Sequence, residues 1–172
     1  MHAMVSLKRV EGFSLIELVT ILLVLAILSS FAASRFFSTS SFDEQGFTRE
    51  ALSAVRYAQK LAIASGCDTR VSFTATTITL EQWIDVGNQS CDVNAPAPVV
   101  TNVARPGGGN FTLTAPTGVT ITSSLAAFYF DQIGIPFSTA GARLAAETTV
   151  TIGPNTFSIA PETGFTRCTV AC

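Results

Sequence analysis

Histidine is almost missing from this sequence, and that scarcity narrows the chemistry before any motif is read. The one histidine, His2, stands at the extreme N-terminus, inside a segment that reads as a cleaved leader. The processed chain would then hold none, which excludes a Ser-His-Asp triad, a Cys-His nucleophile pair and any His-ligated metal. Charge is also scarce, at 13% of residues, and the balance of 10 basic against 12 acidic side chains gives −2. A negative chain lacks the basic excess of a nucleic-acid surface. Acid–base chemistry would fall to Asp68, Glu81, Asp85, Asp131, Glu147 and Glu162, whose spacing carries no signature of a working carboxylate pair. The sequence implies no enzyme, no cofactor and no metal centre.

Apolar residues are concentrated at one end. Phe13 to Ala33 reads FSLIELVTILLVLAILSSFAA, about one bilayer-spanning helix with a single ionisable residue, Glu17. Lys8 and Arg9 precede it, so the positive-inside rule keeps that end in the cytoplasm and exports the chain beyond residue 34. Ala32-Ala33-Ser34 faintly resembles a signal-peptidase site, but the apolar core of a signal peptide is usually only ~7–15 residues. A carboxylate at Glu17 costs on the order of a few kcal/mol in hydrocarbon and marks a function more often than an accident. The plainer alternative is a carboxylate snorkelling to the interface near the helix end.

The string Lys8-Arg9-Val10-Glu11-Gly12-Phe13-Ser14-Leu15-Ile16-Glu17 closely resembles the prepilin peptidase site of type IV pilins, type II secretion pseudopilins and related filament subunits. The resemblance implies cleavage after Gly12 and methylation of Phe13 as the new N-terminus. It also implies an assembly and register role for Glu17, fifth in the mature chain. A buried carboxylate needs a partner, and the α-amine of a neighbouring subunit's Phe13 supplies one when apolar helices bundle. Cleavage would remove two basic residues and one acidic residue, shifting the net charge from −2 to −3. Many members of the family carry a proline farther along the helix. Here Ser34 stands in its place, and serine weakens a helix less than proline does.

Residues 38 to 42 are a polar interruption, with Ser41 expected to cap a second helix that starts at Asp43-Glu44 and runs to about Ser65. Phe47, Ala51, Val55, Ala58 and Ala62 make its apolar stripe, and Arg49, Ser53, Arg56 and Lys60 a polar one. Gly66 stops it. The period then changes to two, giving short strands at 71–75, 78–80, 111–113, 119–121, 128–130, 150–152, 157–159 and 165–167. Turn residues separate them at 94–98, 105–110, 116–118, 134–136, 153–155 and 161–164. The expected fold is α+β and type IV pilin-like. Its long N-terminal helix would have a membrane half and an amphipathic half, packed on a C-terminal antiparallel sheet or sandwich. The expected divisions are a leader (1–12), an apolar assembly segment (13–37), an amphipathic helix (38–65) and a β-rich exported domain (66–172).

Three further segments extend the resemblance: Ala51 to Ser65, Phe130 to Pro136 and Ile159 to Phe165 look like the pseudopilin H branch of minor pilins. More narrowly, the chain is similar to minor pilins of the mannose-sensitive haemagglutinin pilus. That branch implies low-abundance subunits at a filament tip or in priming assembly. The implied partners are other pilin subunits, the prepilin peptidase, an inner-membrane assembly platform and the membrane itself. The implied location is the inner membrane before assembly, with the β domain periplasmic, and then the surface filament. Some relatives bind DNA through C-terminal arginines, but here only Arg167 stands in that stretch, Arg143 is isolated and the charge is negative. The other readings are a type II secretion pseudopilin and a bitopic binding protein whose leader is never cleaved.

The four cysteines, Cys67, Cys91, Cys168 and Cys172, fit two disulfides in an exported body, with the nearest pairs the simplest of three connectivities. They lack the paired C-x₂-C spacing of a zinc site. Gly107-Gly108-Gly109 after Arg105-Pro106 neither opens a helix nor carries a Walker lysine, so it reads as a loop. Asp85, Asn88 and Asp92 match no dedicated calcium loop.

Overall fold

The structure, a computed structural model, describes residues 14–36, 39–85, 91, 98–105, 107–170 and 172. The chain divides into two compact units, residues 1–39 and 40–172. In the first, helix α1 (Leu15–Phe36) runs 22 residues without glycine or proline, about 33 Å of axis at 1.5 Å per residue. Among the described residues, the second unit holds α2 (Thr39–Ser65) from its second residue onward and ten strands.

Helix α2 starts earlier than the serine-cap reading places it. Thr39 and Ser40 are already helical, which puts Ser41 inside the helix and leaves no acidic residue in the first turn. Serine is only modestly poorer than alanine as a helix former, so a short polar run extends the helix where a proline would have stopped it. At the far end Gly66 adopts φ 65°, and its N–H donates to Ala62 O at 2.9 Å, the left-handed stop that glycine takes without a Cβ clash.

Strands β1 (Thr69–Phe73), β2 (Thr77–Asp85), β3 (Pro98–Asn102), β4 (Thr112–Thr114), β6 (Ala127–Phe130) and β7 (Pro136–Ser138) form one sheet, in the order β3-β2-β1-β6-β7. Strand β4 pairs with the first residues of β2, and β3 with its second half. Strands β5 (Ile121–Ser123), β8 (Thr148–Ile152), β9 (Asn155–Ile159) and β10 (Thr166–Val170) form the other sheet, ordered β10-β9-β8-β5. Every pairing is antiparallel.

Alternation builds the core. Val71 and Phe73 of β1, Ile78 and Leu80 of β2, Phe128 and Phe130 of β6, Val150 and Ile152 of β8, and Phe157 and Ile159 of β9 are buried against one stripe of α2. That stripe is Phe47, Ala51, Val55, Ala58 and Ala62, which brings the helix and both sheets into one hydrophobic cluster. Small residues at three of its five positions let the helix axis approach the strands. Burying each large aliphatic or aromatic side chain contributes roughly 1.5–3 kcal/mol. The fold is α+β, an N-terminal helix packed on antiparallel sheets.

Candidate assembly site

Helix α1 carries apolar side chains on every side and leaves them exposed. From Leu15 to Leu28 its large aliphatic residues have exposures from 46% at Ile21 to 82% at Leu15. Among the described side chains of α1 no polar face exists to turn toward water, which is the pattern of a helix made to be surrounded by apolar material. Glu17 lies in the first turn, the one acidic residue there. Its N–H donates to Ser14 O at 3.0 Å, and its carbonyl accepts from Thr20 Oγ1 at 2.8 Å. A carboxylate in a first helical turn meets the positive end of the helix dipole. Among the described residues, whose side chains in α1 run from Leu15 to Ser29, no helix is long and apolar enough to cross a membrane. Gly12 and Phe13, the expected cleavage and methylation positions, lie outside the described residues, as do Asn88 and Asp92.

The polar stripe of α2 has a role that periodicity alone did not assign. Arg49 Nε donates to Cys172 O at 3.1 Å, and Arg56 Nη2 to Thr166 O at 2.8 Å. Gln59 Nε2 donates to both Gly134 O (2.9 Å) and Thr163 O (2.7 Å). These side chains hold backbone carbonyls of the C-terminal strand and of two turns, so the helix grips the end of the chain along a polar seam. The turn at Gly134 is shaped by Asp131, whose Oδ1 accepts from the N–H groups of Ile133 and Ile135 at 3.1 and 2.7 Å. The neighbouring turn needs its glycine. Gly164 adopts φ 67°, and a Cβ there would stand 2.5 Å from Gly134 O and 2.6 Å from Gln59 Nε2. The sequence signal for this clamp was present in the paired turn motifs, but nothing in the sequence pointed to Gln59 as the residue joining them.

Cys67 is bonded to Cys91 and Cys168 to Cys172, and no free cysteine remains. The first bond follows the stop at Gly66 and lies beside a backbone contact, Asp68 N–H to Cys91 O at 2.9 Å. The second closes the C-terminus, whose carbonyl Arg49 holds. Glu147 Oε1 accepts from Ser158 Oγ at 2.6 Å and from Arg167 Nη2 at 3.0 Å. The Ser158 hydrogen bond, followed by the Arg167 charge, holds the Glu147 carboxyl below its ordinary value. Arg167 is thus engaged with a carboxylate.

The glycine run is a tight reversal. Gly108 N–H donates to Arg105 O and Arg105 N–H to Gly109 O, both at 2.9 Å, closing the Ala104–Asn110 bridge. Among the described residues no three metal-ligating side chains come together. An open cavity of about 340 Å³ lies beside the buried Asp68, walled by Tyr129 and Phe137 with Asp131 and Gln132.

No family model and no curated protein matches the sequence. Among solved structures, the chain is similar to the type IV minor pilin FimU of Pseudomonas aeruginosa strain PAO1 in two crystal forms. In one, identity is 14% and the TM-score 0.46, over 73% of this chain and 91% of that one. In the other, identity is 13% and the TM-score 0.49, over 76% and 91%. It is also similar to the minor pseudopilin EpsH from the type 2 secretion system of Vibrio cholerae, at 14% identity and a TM-score of 0.48 over 71% and 92%.

Proposed function

We propose that this protein is a minor subunit of a type IV pilus, processed between Gly12 and Phe13 and polymerised through α1. The observation that carries the reading is the contrast within α1: aliphatic side chains exposed on all sides, interrupted by the single carboxylate Glu17 in its first turn. Such a surface is satisfied by lipid before assembly and by other apolar helices afterwards. Glu17 then meets the positive α-amine of a neighbouring Phe13, which fixes the axial register between subunits. The protein waits in the inner membrane with the residue 40–172 unit in the periplasm. The prepilin peptidase removes residues 1–12, Phe13 is methylated, and an assembly platform draws the subunit into the filament. Catalysis plays no part, because the task is polymerisation.

A pseudopilin of a type II secretion system would use the same α1 chemistry, and the two readings part on location. The deciding experiment isolates surface filaments and measures this subunit's N-terminal mass and abundance together. The expected result is a chain beginning at methylated Phe13, present in filaments at low abundance. A processed chain found only in the periplasmic envelope favours the secretion reading. An intact leader in assembled material would overturn both. Gly12→Ala should leave the leader in place, and a normal Phe13 terminus on that variant would refute the cleavage assignment.

A further inference from the structure

The face of α2 opposite the core is unlike the rest of this acidic chain. Phe42, Arg49, Ser53, Arg56, Lys60 and Ile63 are exposed at helical spacing along it. Phe42 and Ile63 stand near the two ends at 72% and 52% exposure, with three cations between them. Among the described residues, the Asp and Glu side chains that form ion pairs do so with other cations. Glu50 is paired with Arg105 at 3.1 Å, Glu81 with Arg70 at 3.6 Å and Glu147 with Arg167 at 3.0 Å. Among the described residues no Asp or Glu side chain pairs with Arg49, Arg56 or Lys60. Arg56 gives a donor to the Thr166 carbonyl, which fixes its guanidinium group without cancelling its charge, whereas Arg49 donates to an oxygen of Cys172, the last residue of the sequence.

Ser53, Arg56, Tyr57 and Lys60 line a shallow groove of about 230 Å³ on this face. Its aromatic wall is held in place: Tyr57 stacks on Phe111 with ring centres 5.3 Å apart, and the Arg105 guanidinium lies 6.0 Å from the same Phe111 ring. A positioned guanidinium, an ammonium and a fixed tyrosine together suit a carboxylate.

We infer that this stripe of α2 is a docking surface for a carboxylate-bearing face of a neighbouring filament subunit, an inference that rests on the proposed function. Charge complementarity selects the partner. The stripe is a cationic exception on a chain of net charge −2, so subunits of similarly acidic character carry the opposite sign. Composition selects protein over nucleic acid. Arginine, tyrosine and exposed apolar residues are the mixture enriched at protein interfaces, whereas a phosphate backbone calls for a longer cationic track. The apolar ends supply the contact area and the groove supplies the direction.

The test places a photo-crosslinking benzoylphenylalanine at Ser53 in the full-length protein and irradiates the producing cells. The expected product is an adduct with another filament subunit, mapped to an acidic peptide. Lys60→Glu should cut its yield about tenfold or more, as like charges meet, while Lys60→Arg retains it. Lys60 makes no bond within the described residues, so its variants leave the fold intact, and a non-reducing peptide map checks both disulfides. An adduct with nucleic acid or lipid alone overturns the inference. So does an unchanged yield in Lys60→Glu, or no adduct from a subunit that does sit in filaments. Absence of the protein from filaments removes the proposed function instead, and this inference with it.

Discussion

Helices α1 and α2 have similar lengths, 22 and 27 residues, and use their surfaces in opposite ways. In α2 the apolar residues keep to one stripe, and the chain itself covers them with both sheets. In α1 they go all the way round, and the large aliphatic side chains described there are all at least 46% exposed. The comparison separates two kinds of apolar information in one sequence. A stripe specifies a partner inside the fold, and a full cylinder specifies a medium or a bundle outside it. Polar residues differ in the same way. Arg49, Arg56 and Gln59 on α2 hold carbonyl oxygens of the same chain, while Glu17 is a solitary carboxylate on an apolar helix.

The sharpest way to break the comparison is to change Glu17. Glu17→Ala should leave processing at Gly12 intact and leave the residue 40–172 unit folded, yet reduce incorporation into filaments severely. Counting subunits per filament length against the N-terminal mass reads both effects on one sample, and normal incorporation would remove the register role. Next in size is a paired truncation. Phe128→Ala, at a fully buried position touching Phe73 and Phe130, should cost about 3–5 kcal/mol. Leu22→Ala on α1 should leave the thermal midpoint of the β domain where it was, with both variants compared as full chains in detergent. Equal losses from the two would mean that α1 is covered by the chain after all.

Much of this is legible in the sequence, for physical reasons that differ by element. The α2 stripe and its end at Ser65 follow from the 3.6-residue period and Gly66. The strands around Val71, Phe128, Val150 and Phe157 follow from strict alternation. Strands β3 and β7 carry turn signals in the sequence because each opens on a proline, Pro98 and Pro136. Both are edge strands of their sheet, where a residue without an N–H is tolerated, so the turn signal and the strand are both real. The start of α2 escapes a sequence reading because Thr39 to Ser41 resemble a cap in composition while the backbone there is already helical. At the candidate site, Glu17 stands out as a lone charge in a hydrocarbon-like run. The carbonyl contacts of Arg49, Arg56 and Gln59 do not, because they join residues as far as 123 apart in sequence, and no local period encodes such a contact.

Gln59 sharpens the comparison from the α2 side. If α2 is held by its polar seam as well as by its core stripe, Gln59→Ala should loosen the turns at Gly134 and Thr163 together. Two hydrogen bonds to partly exposed carbonyls predict a loss of about 1–2 kcal/mol. Hydrogen exchange should rise at Gly134 and Gly164, whose N–H groups close these turns on Asp131 O and Ala160 O. A stability loss with exchange raised across all strands would assign Gln59 to the general fold instead of the clamp.

The smallest effect belongs to Glu147, where the second unit carries its own pH dependence. The Ser158 hydroxyl and the Arg167 guanidinium favour the ionised carboxyl, so its pKa in the folded protein lies below the ordinary 4.5. A depressed folded pKa contributes stability that is complete above the unfolded value and lost as pH falls through the folded one. The pair is exposed, and such pairs contribute little. Glu147→Gln should therefore lower the unfolding midpoint slightly at neutral pH, with the gap to the parent chain closing as pH falls below the ordinary 4.5 and through the lowered folded value. High salt should narrow the gap at neutral pH, because the Arg167 share of the interaction is screened. A gap that persists unchanged to pH 2 would show that Ser158 acts by packing alone, and that the carboxylate's charge does nothing for the strand it joins.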